Sequence, residues 1–264
     1  MQVDQGEIDT DKPIRLDVRA ASFADVKLAF RDGLRDLTRR PLLSLFFGLV
    51  YALFGALLIS GLMVFDQIWI VVAAGVGFPL AAPFLAAGLY EMSRRFKRGE
   101  TFAASDILLV IFRQRQREFG WMSFVVLFVL WIWAYQIRLI FALTLPSHGF
   151  RSLEHFANGL FTTVDGATFL LVGTIVGAVL ATVLFTLTVI ATPLLLDKDV
   201  DFVTAMITSV KAVHSSPVVM LSWGALVGAL TLLAIAPLFL GIVVIFPLLG
   251  HTTWHLYERV VSEA

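Results

Sequence analysis

The sequence predicts an all-α integral membrane protein: six transmembrane helices arranged as three hairpins, each preceded by a cytoplasmic amphipathic helix, with both termini cytoplasmic. Three observations predict it. Of 264 residues, 58% are hydrophobic and only 15% are charged, against roughly 45–50% and about 25% in an ordinary soluble domain. The charges are gathered into a few connectors between long apolar stretches. Lys and Arg, which mark cytoplasmic connectors, fall almost entirely on alternate connectors. This composition excludes a soluble globular enzyme and a disordered chain. The chain has no cysteine, which excludes disulfides, thiolate metal sites, iron–sulfur clusters and thiol catalysis. Twenty basic and twenty acidic residues cancel, so no global field recruits nucleic acid.

Residues 1–21 read as a flexible cytoplasmic N-terminus, and 22–264 as a single membrane domain. Phe23, Val26, Phe30, Leu34 and Leu37 recur at helical spacing, with Asp25, Arg31, Asp32, Arg35 and Arg39 on other faces; this is an amphipathic stripe. The acidic residues interleaved with the basic ones argue against a simple anionic-lipid anchor. Pro41 ends the stripe. A crossing needs about 20 apolar residues. The first is Leu42 to Val64 and the second Ile68 to about Tyr90, with Asp66 and Gln67 at the turn. The third is Phe119 to about Leu139, and the fourth lies within Ala167 to Leu196. Pro217 to Gly250 carries no charge, and as one helix would be roughly 51 Å long. Pro237, which cannot donate a backbone N–H, divides it into a fifth crossing, Pro217 to Ala236, and a sixth, Leu238 to about Tyr257. Five crossings with a long or re-entrant last helix is the alternative.

Counted on this scheme, eighteen Lys and Arg share one side and only Arg138 and Arg151 fall on the other. The first forty residues are charged and lack an apolar core segment, so no signal peptide is expected. The expected location is a bacterial inner membrane.

The cytoplasmic segments look alike. Ser22-Phe23, Thr101-Phe102 and Asp201-Phe202 each offer a helix N-cap followed by Phe. Repeat units of about 22–90, 101–196 and 201–259 follow, the middle one lengthened by an external loop at 145–166. The amphipathic helices either lie in the headgroup layer or pack on the ends of the crossings; both readings bury the same stripe. Gly173 with Gly177, and Gly224 with Gly228, match the small-xxx-small pattern of close helix packing. Trp121, Trp131, Trp133 and Tyr135 suit interfacial or lipid-facing positions.

Residues 250–259, GHTTWHLYER, carry the most pointed chemistry. His251, His255 and Glu258 share one helix face. Two imidazoles at i, i+4 can bind a metal with a carboxylate, or ligate haem; otherwise they anchor a helix at the membrane surface. His214 is the other nitrogen on that side. Thr182 with Thr186, and Thr188 with Thr192, are expected to bond back to i−4 carbonyls ahead of Pro193. Pro79, Pro83, Pro193 and Pro247 either kink helices or break them around a substrate. His148, Arg151, Glu154 and His155 in the external loop are explained by solvation. No nucleophile elbow, phosphate-binding glycine loop, HExxH or paired intramembrane carboxylates occur, so no enzyme is expected.

The Phe-led first helix, the Pro-rich second crossing and the ending PLLGHTTWHLYER resemble a bacterial family of predicted integral membrane proteins, domain of unknown function 2189. The resemblance runs from the first amphipathic helix to the end. It implies no established activity. Some members are labelled as cytochrome c oxidase subunits, but the catalytic subunit of such an oxidase needs about twelve spans and several intramembrane histidines, which this chain lacks. The leading expectation is a non-catalytic accessory, assembly or scaffold factor for a membrane complex, respiratory complexes included. Its partners would be the bilayer and either such a complex or further copies of itself, with no nucleic acid. The alternatives are a small transporter or channel, and a metal- or haem-binding redox protein using His251 and His255.

Overall fold

In the computed structural model, residues 15–65, 68–114, 118–145 and 153–263 are described. The expected turn at Asp66 and Gln67, and His148 and Arg151 of the external loop, lie outside them, as do the side chains of Pro79, Glu154 and His155. The fold is almost entirely helical. A short strand β1 (Leu16–Val18) leads to α1 (Phe23–Arg39), α2 (Pro41–Phe65) and α3 (Ile68–Arg98). Then come α4 (Ala104–Gln114), α5 (Phe119–Thr144), α6 (Leu153–Thr162), α7 (Val164–Thr188) and α8 (Ala191–Asp197). The last group is α9 (Phe202–Ser215), α10 (Pro217–Ile235), α11 (Ile242–Val260) and strand β2 (Val261–Glu263).

Three described helical stretches are long and apolar enough to cross a membrane: Gly120–Thr144, Val164–Asp197 and Pro217–Ile235. A fourth candidate is the pair Phe23–Arg39 and Pro41–Leu57, bent by 101°. This is fewer than the six expected. The turn joining α2 and α3 lies outside the described residues. α11 falls short because its second half, from His251 on, is polar. The apolar stretches are turned outward. Only 6% of the most apolar window is buried in Gly120–Thr144 and in Val164–Asp197, and Phe124, Phe128, Trp131, Leu171, Ile175 and Val179 are exposed. Such a surface belongs in lipid or against another apolar chain.

The main buried cluster instead lies where charged helix ends meet. It includes Ala29, Tyr90, Ile190, Leu194, Trp223, Trp254, Leu256 and Val260. Polar contacts tie the same ends together. Arg40 donates to the Phe102 carbonyl at 2.7 Å, Phe202 N–H donates to Glu118 at 3.2 Å, and Tyr257 Oη donates to Asp197 at 2.9 Å. β1 pairs antiparallel with β2, Leu16 opposite Glu263 and Val18 opposite Val261. The first and last described segments are therefore neighbours. Residues 16–21 do not behave as the flexible segment expected there: they form β1 and a bonded turn, with Ala21 N–H donating to Ser216 Oγ at 3.0 Å.

Two of the three expected caps form. Ser22 accepts from Asp25 N–H while Asp25 accepts from Ser22 N–H, a reciprocal capping box. Asp201 accepts from Thr204 N–H. Thr101 does not cap: α4 starts at Ala104, and Asp106 accepts from Ala103 N–H at 2.8 Å. The acidic residue three positions on displaced the expected start, and Phe102 is buried instead.

The break at Pro237 is present. Residues 236–241 turn between α10 and α11, with Leu238 and Phe239 at φ 53° and 66°. A second break separates α7 from α8. Thr182, Thr188 and Thr192 bond to i−4 carbonyls as expected, but the break itself is built by α9. Ser209, fully buried, donates to the Thr186 carbonyl at 2.7 Å and accepts from Ile190 N–H at 3.2 Å. Its hydroxyl is inserted where a helical hydrogen bond would close, a recognised cause of a kink. Ser209→Ala leaves both buried groups unpaired and is expected to cost about 1–3 kcal/mol, read as a lowered unfolding midpoint in detergent.

The four glycines of the small-xxx-small pairs differ in their surroundings. A β-carbon on Gly177 would meet the Trp133 ring at 3.1 Å, and one on Gly224 the Phe185 ring at 3.1 Å. Gly173 has only an ordinary contact, with Ile137 at 3.7 Å, and Gly228 faces open space. Gly228 thus meets no neighbour among the described residues. Tighter approaches occur elsewhere, among them Gly166 against α6 and Gly33 and Gly48 against α11.

Candidate functional site

α11 is apolar from Ile242 to Leu249 and polar from His251 to Arg259. α1, α2 and α3 each supply partners to its polar end. Gly33 lets α1 approach closely, since a β-carbon there would lie 2.5 Å from Thr252 Oγ1.

The polar end divides into two environments. His251 is fully buried. Its Nε2 lies 3.1 Å from Ser44 Oγ of α2, and its Nδ1 lies 2.7 Å from Ser93 Oγ of α3. A hydroxyl can donate or accept, so both ring nitrogens of a neutral imidazole are satisfied. His251 joins three helices as a hydrogen-bonded pin.

One turn later the chemistry changes. His255 Nε2 lies 2.7 Å from Asp36 Oδ2, and Nδ1 lies 3.3 Å from Glu258 Oε2. Carboxylates only accept, so both ring nitrogens donate and the ring is an imidazolium. Burial alone would lower its pKa. The hydrogen bonds and charges of Asp36 and Glu258 outweigh it and push the pKa up from 6.5 to about 9. Asp36 is buried and also bonded to Arg39 at 3.3 Å. Glu258 pairs with Lys97 of α3 at 3.0 Å; despite burial, His255 and Lys97 hold its pKa below the usual value. Arg259 donates to Asp32 at 2.6 Å.

These side chains line a cleft of about 390 Å³, completed by Arg35 and open to its surroundings. Four cations and the imidazolium face three carboxylates. The cleft lies outside the three apolar helical stretches and beyond the apolar part of α11. An open, charged rim of this kind belongs in water.

The structure therefore joins His255 to Glu258 and separates His251 from both. Among the described residues, no group of three or more His, Asp or Glu side chains could hold a metal ion. Each ring nitrogen of His251 and His255 is already engaged within the chain. The residues present do not fit a metal or haem in this arrangement. His214 is exposed at the end of α9 and is not among the cleft residues. Glu91 is buried and paired with Arg94 at 2.7 Å and Arg95 at 2.6 Å.

Sequence reasoning missed Asp36, Asp32, Ser44, Ser93 and Lys97. A signal existed for two of them. Asp25, Asp32 and Asp36 fall at steps of seven and four, which places them on one side of α1. Ser44, Ser93 and Lys97 have no local signature.

Comparison with known proteins gives one match. No curated protein and no solved structure matches the chain. A family model described as predicted integral membrane protein (DUF2189) matches residues 70–197. That covers α3 to α8 almost completely and leaves out α1 and the residue 250–259 segment, a narrower extent than the sequence resemblance suggested. Over residues 70–197, the chain is similar to this family of predicted integral membrane proteins of unknown function.

Proposed function

We propose that the protein is a six-pass bacterial inner-membrane protein with both termini cytoplasmic, acting as a non-catalytic accessory, assembly or scaffold factor for a membrane complex. The observation that carries the scaffold reading is the inverted distribution of burial. α5 and α7 leave nearly all their apolar surface uncovered, while the packed core sits at the charged helix ends. A chain built this way holds itself together at the membrane surface and leaves its apolar helical faces available to lipid or a partner subunit.

The β1–β2 pairing supports an even number of passes, because strands hydrogen-bonded to each other share one side of a membrane. The Lys97–Glu258 ion pair between the ends of α3 and α11 supports the same topology. Positive residues concentrated at these ends support a cytoplasmic placement. The α7–α8 break is filled by Ser209 and gives no reason to prefer a substrate path. The polar end of α11 then serves as a latch: His251 pins α2 and α3 in the core, and His255 locks α1 to α11 at the rim.

Reporters fused after Ala264 and inserted within 145–166 test the topology; the expected result is a cytoplasmic terminus and an external loop. Purification in mild detergent tests the scaffold reading. Stoichiometric co-purification of other membrane subunits is expected, and recovery only as a free monomer or homo-oligomer counts against it.

A further inference from the structure

The amphipathic stripe of α1 does not sit where its composition suggests. The buried residues of α1 are Asp25, Ala29, Gly33, Asp36 and Leu37. Phe23 and Leu34 are exposed, at 59% and 45%, and Phe30 is half-buried. The helix turns a small-and-acidic face to α11 and leaves an edge of its apolar face outside.

The same rotation sorts the charges. Asp25 pairs with Arg19 at 2.9 Å, Asp32 with Arg259 and Asp36 with His255. All three carboxylates are spent inside the chain. Lys27, Arg31 and Arg35 follow at steps of four, all exposed, and none forms an ion pair among the described residues. No exposed residue of α1 is acidic. The interleaving of acid and base that argued against lipid binding in the sequence therefore disappears in three dimensions. The exposed surface is a basic row running beside the Phe23 and Leu34 edge, while Phe30 packs on the core.

Orientation adds a second, independent observation. α1 turns by 101° from the first part of α2, so a membrane-crossing α2 places α1 near the membrane plane. The outward apolar surface continues across the bend through Leu42, Phe46, Leu49 and Leu53.

We propose that α1 lies in the headgroup layer of the bilayer, with Phe23 and Leu34 among the acyl chains and Lys27, Arg31 and Arg35 binding anionic lipid headgroups. The occupant is the lipid surface: the exposed charge is wholly basic, complementary to phosphate-bearing anionic headgroups, and the apolar edge is continuous with the lipid-facing side of α2. Long Lys and Arg stems let the charges reach the phosphate plane while the apolar side chains stay below it.

The absence of cysteine makes single-site labelling direct. The full chain is reconstituted in nanodiscs of phosphatidylcholine with and without phosphatidylglycerol, carrying a nitroxide at Leu34→Cys or Ala24→Cys. At Leu34, collisions with oxygen are expected to exceed those with a water-soluble nickel chelate, and at Ala24 the order is expected to reverse. Equal nickel access at both positions overturns the proposal. The second measurement is lipid retained after detergent extraction. Phosphatidylglycerol is expected to be retained over phosphatidylcholine, and K27Q/R31Q/R35Q is expected to reduce that preference by about fivefold or more with an unchanged unfolding midpoint. Equal retention of the two lipids, a preference unaltered by the triple substitution, or its full competition by inorganic phosphate also overturns it. These readouts do not depend on co-purifying subunits, so the proposal and the scaffold reading fail separately.

Discussion

Asp36→Ala is expected to lower stability by about 3 kcal/mol, because it strips a buried charged ring of its nearest counter-charge. Asp36 holds His255 at 2.7 Å and Arg39 at 3.3 Å, and nothing else on α1 is placed to replace it. The loss should also change the pH profile. The charged groups sharing the cleft with His255 are Asp32, Arg35, Asp36 and Arg39 from α1, Lys97 from α3, and Glu258 and Arg259 on α11. Its folded-state pKa is raised from 6.5 to about 9. A raised pKa means that the folded state holds the proton more tightly. The stabilisation is therefore complete below about pH 6.5 and is lost as pH rises through about 9. Wild-type unfolding midpoints in detergent should fall over that window, and those of Asp36→Ala should fall much less. Parallel curves for the two proteins would remove the latch from the account.

Gly48→Ala is the second large effect. Pro247 has no N–H, which leaves the Val243 carbonyl without its usual i+4 donor. Gly48 of α2 packs directly on that carbonyl, and an added β-carbon would fall onto the Val243 carbonyl group. A backbone neighbour cannot swing aside as a side chain end can, so α2 and α11 must separate. The expected cost is about 3 kcal/mol, read as a lowered midpoint or loss of the monodisperse species. Gly228→Ala is the matched control. With open space at that position, it should be neutral or stabilising by up to about 1 kcal/mol. A Gly48 variant as stable as the Gly228 variant would mean that the two helices do not meet there.

The proline at 247 illustrates how a sequence feature changes meaning once folded. Read alone, it is a kink or a break around a substrate. In the structure it uncovers a carbonyl that a glycine on another helix covers. The two residues are 199 positions apart, and no local pattern links them.

The sequence by itself determined what depends on short-range forces. Apolar runs, the caps at Ser22 and Asp201, the break at Pro237 and the i−4 bonds of Thr182, Thr188 and Thr192 are set by residues within a turn or two of each other. Where two local signals competed, as at Thr101 and Asp106, the reading failed. That the chain belongs in a membrane was also legible, because its apolar and charged fractions lie far from those of a soluble domain. Only the tertiary structure decided which face of each helix meets another. α1 turned its acids inward and Phe23 and Leu34 outward, Gly228 faced open space while Gly48 met α11, and His251 parted from His255. These outcomes rest on shape and charge matching between segments far apart in the chain, where a single Cβ or one carboxylate decides which of several equally apolar faces is buried.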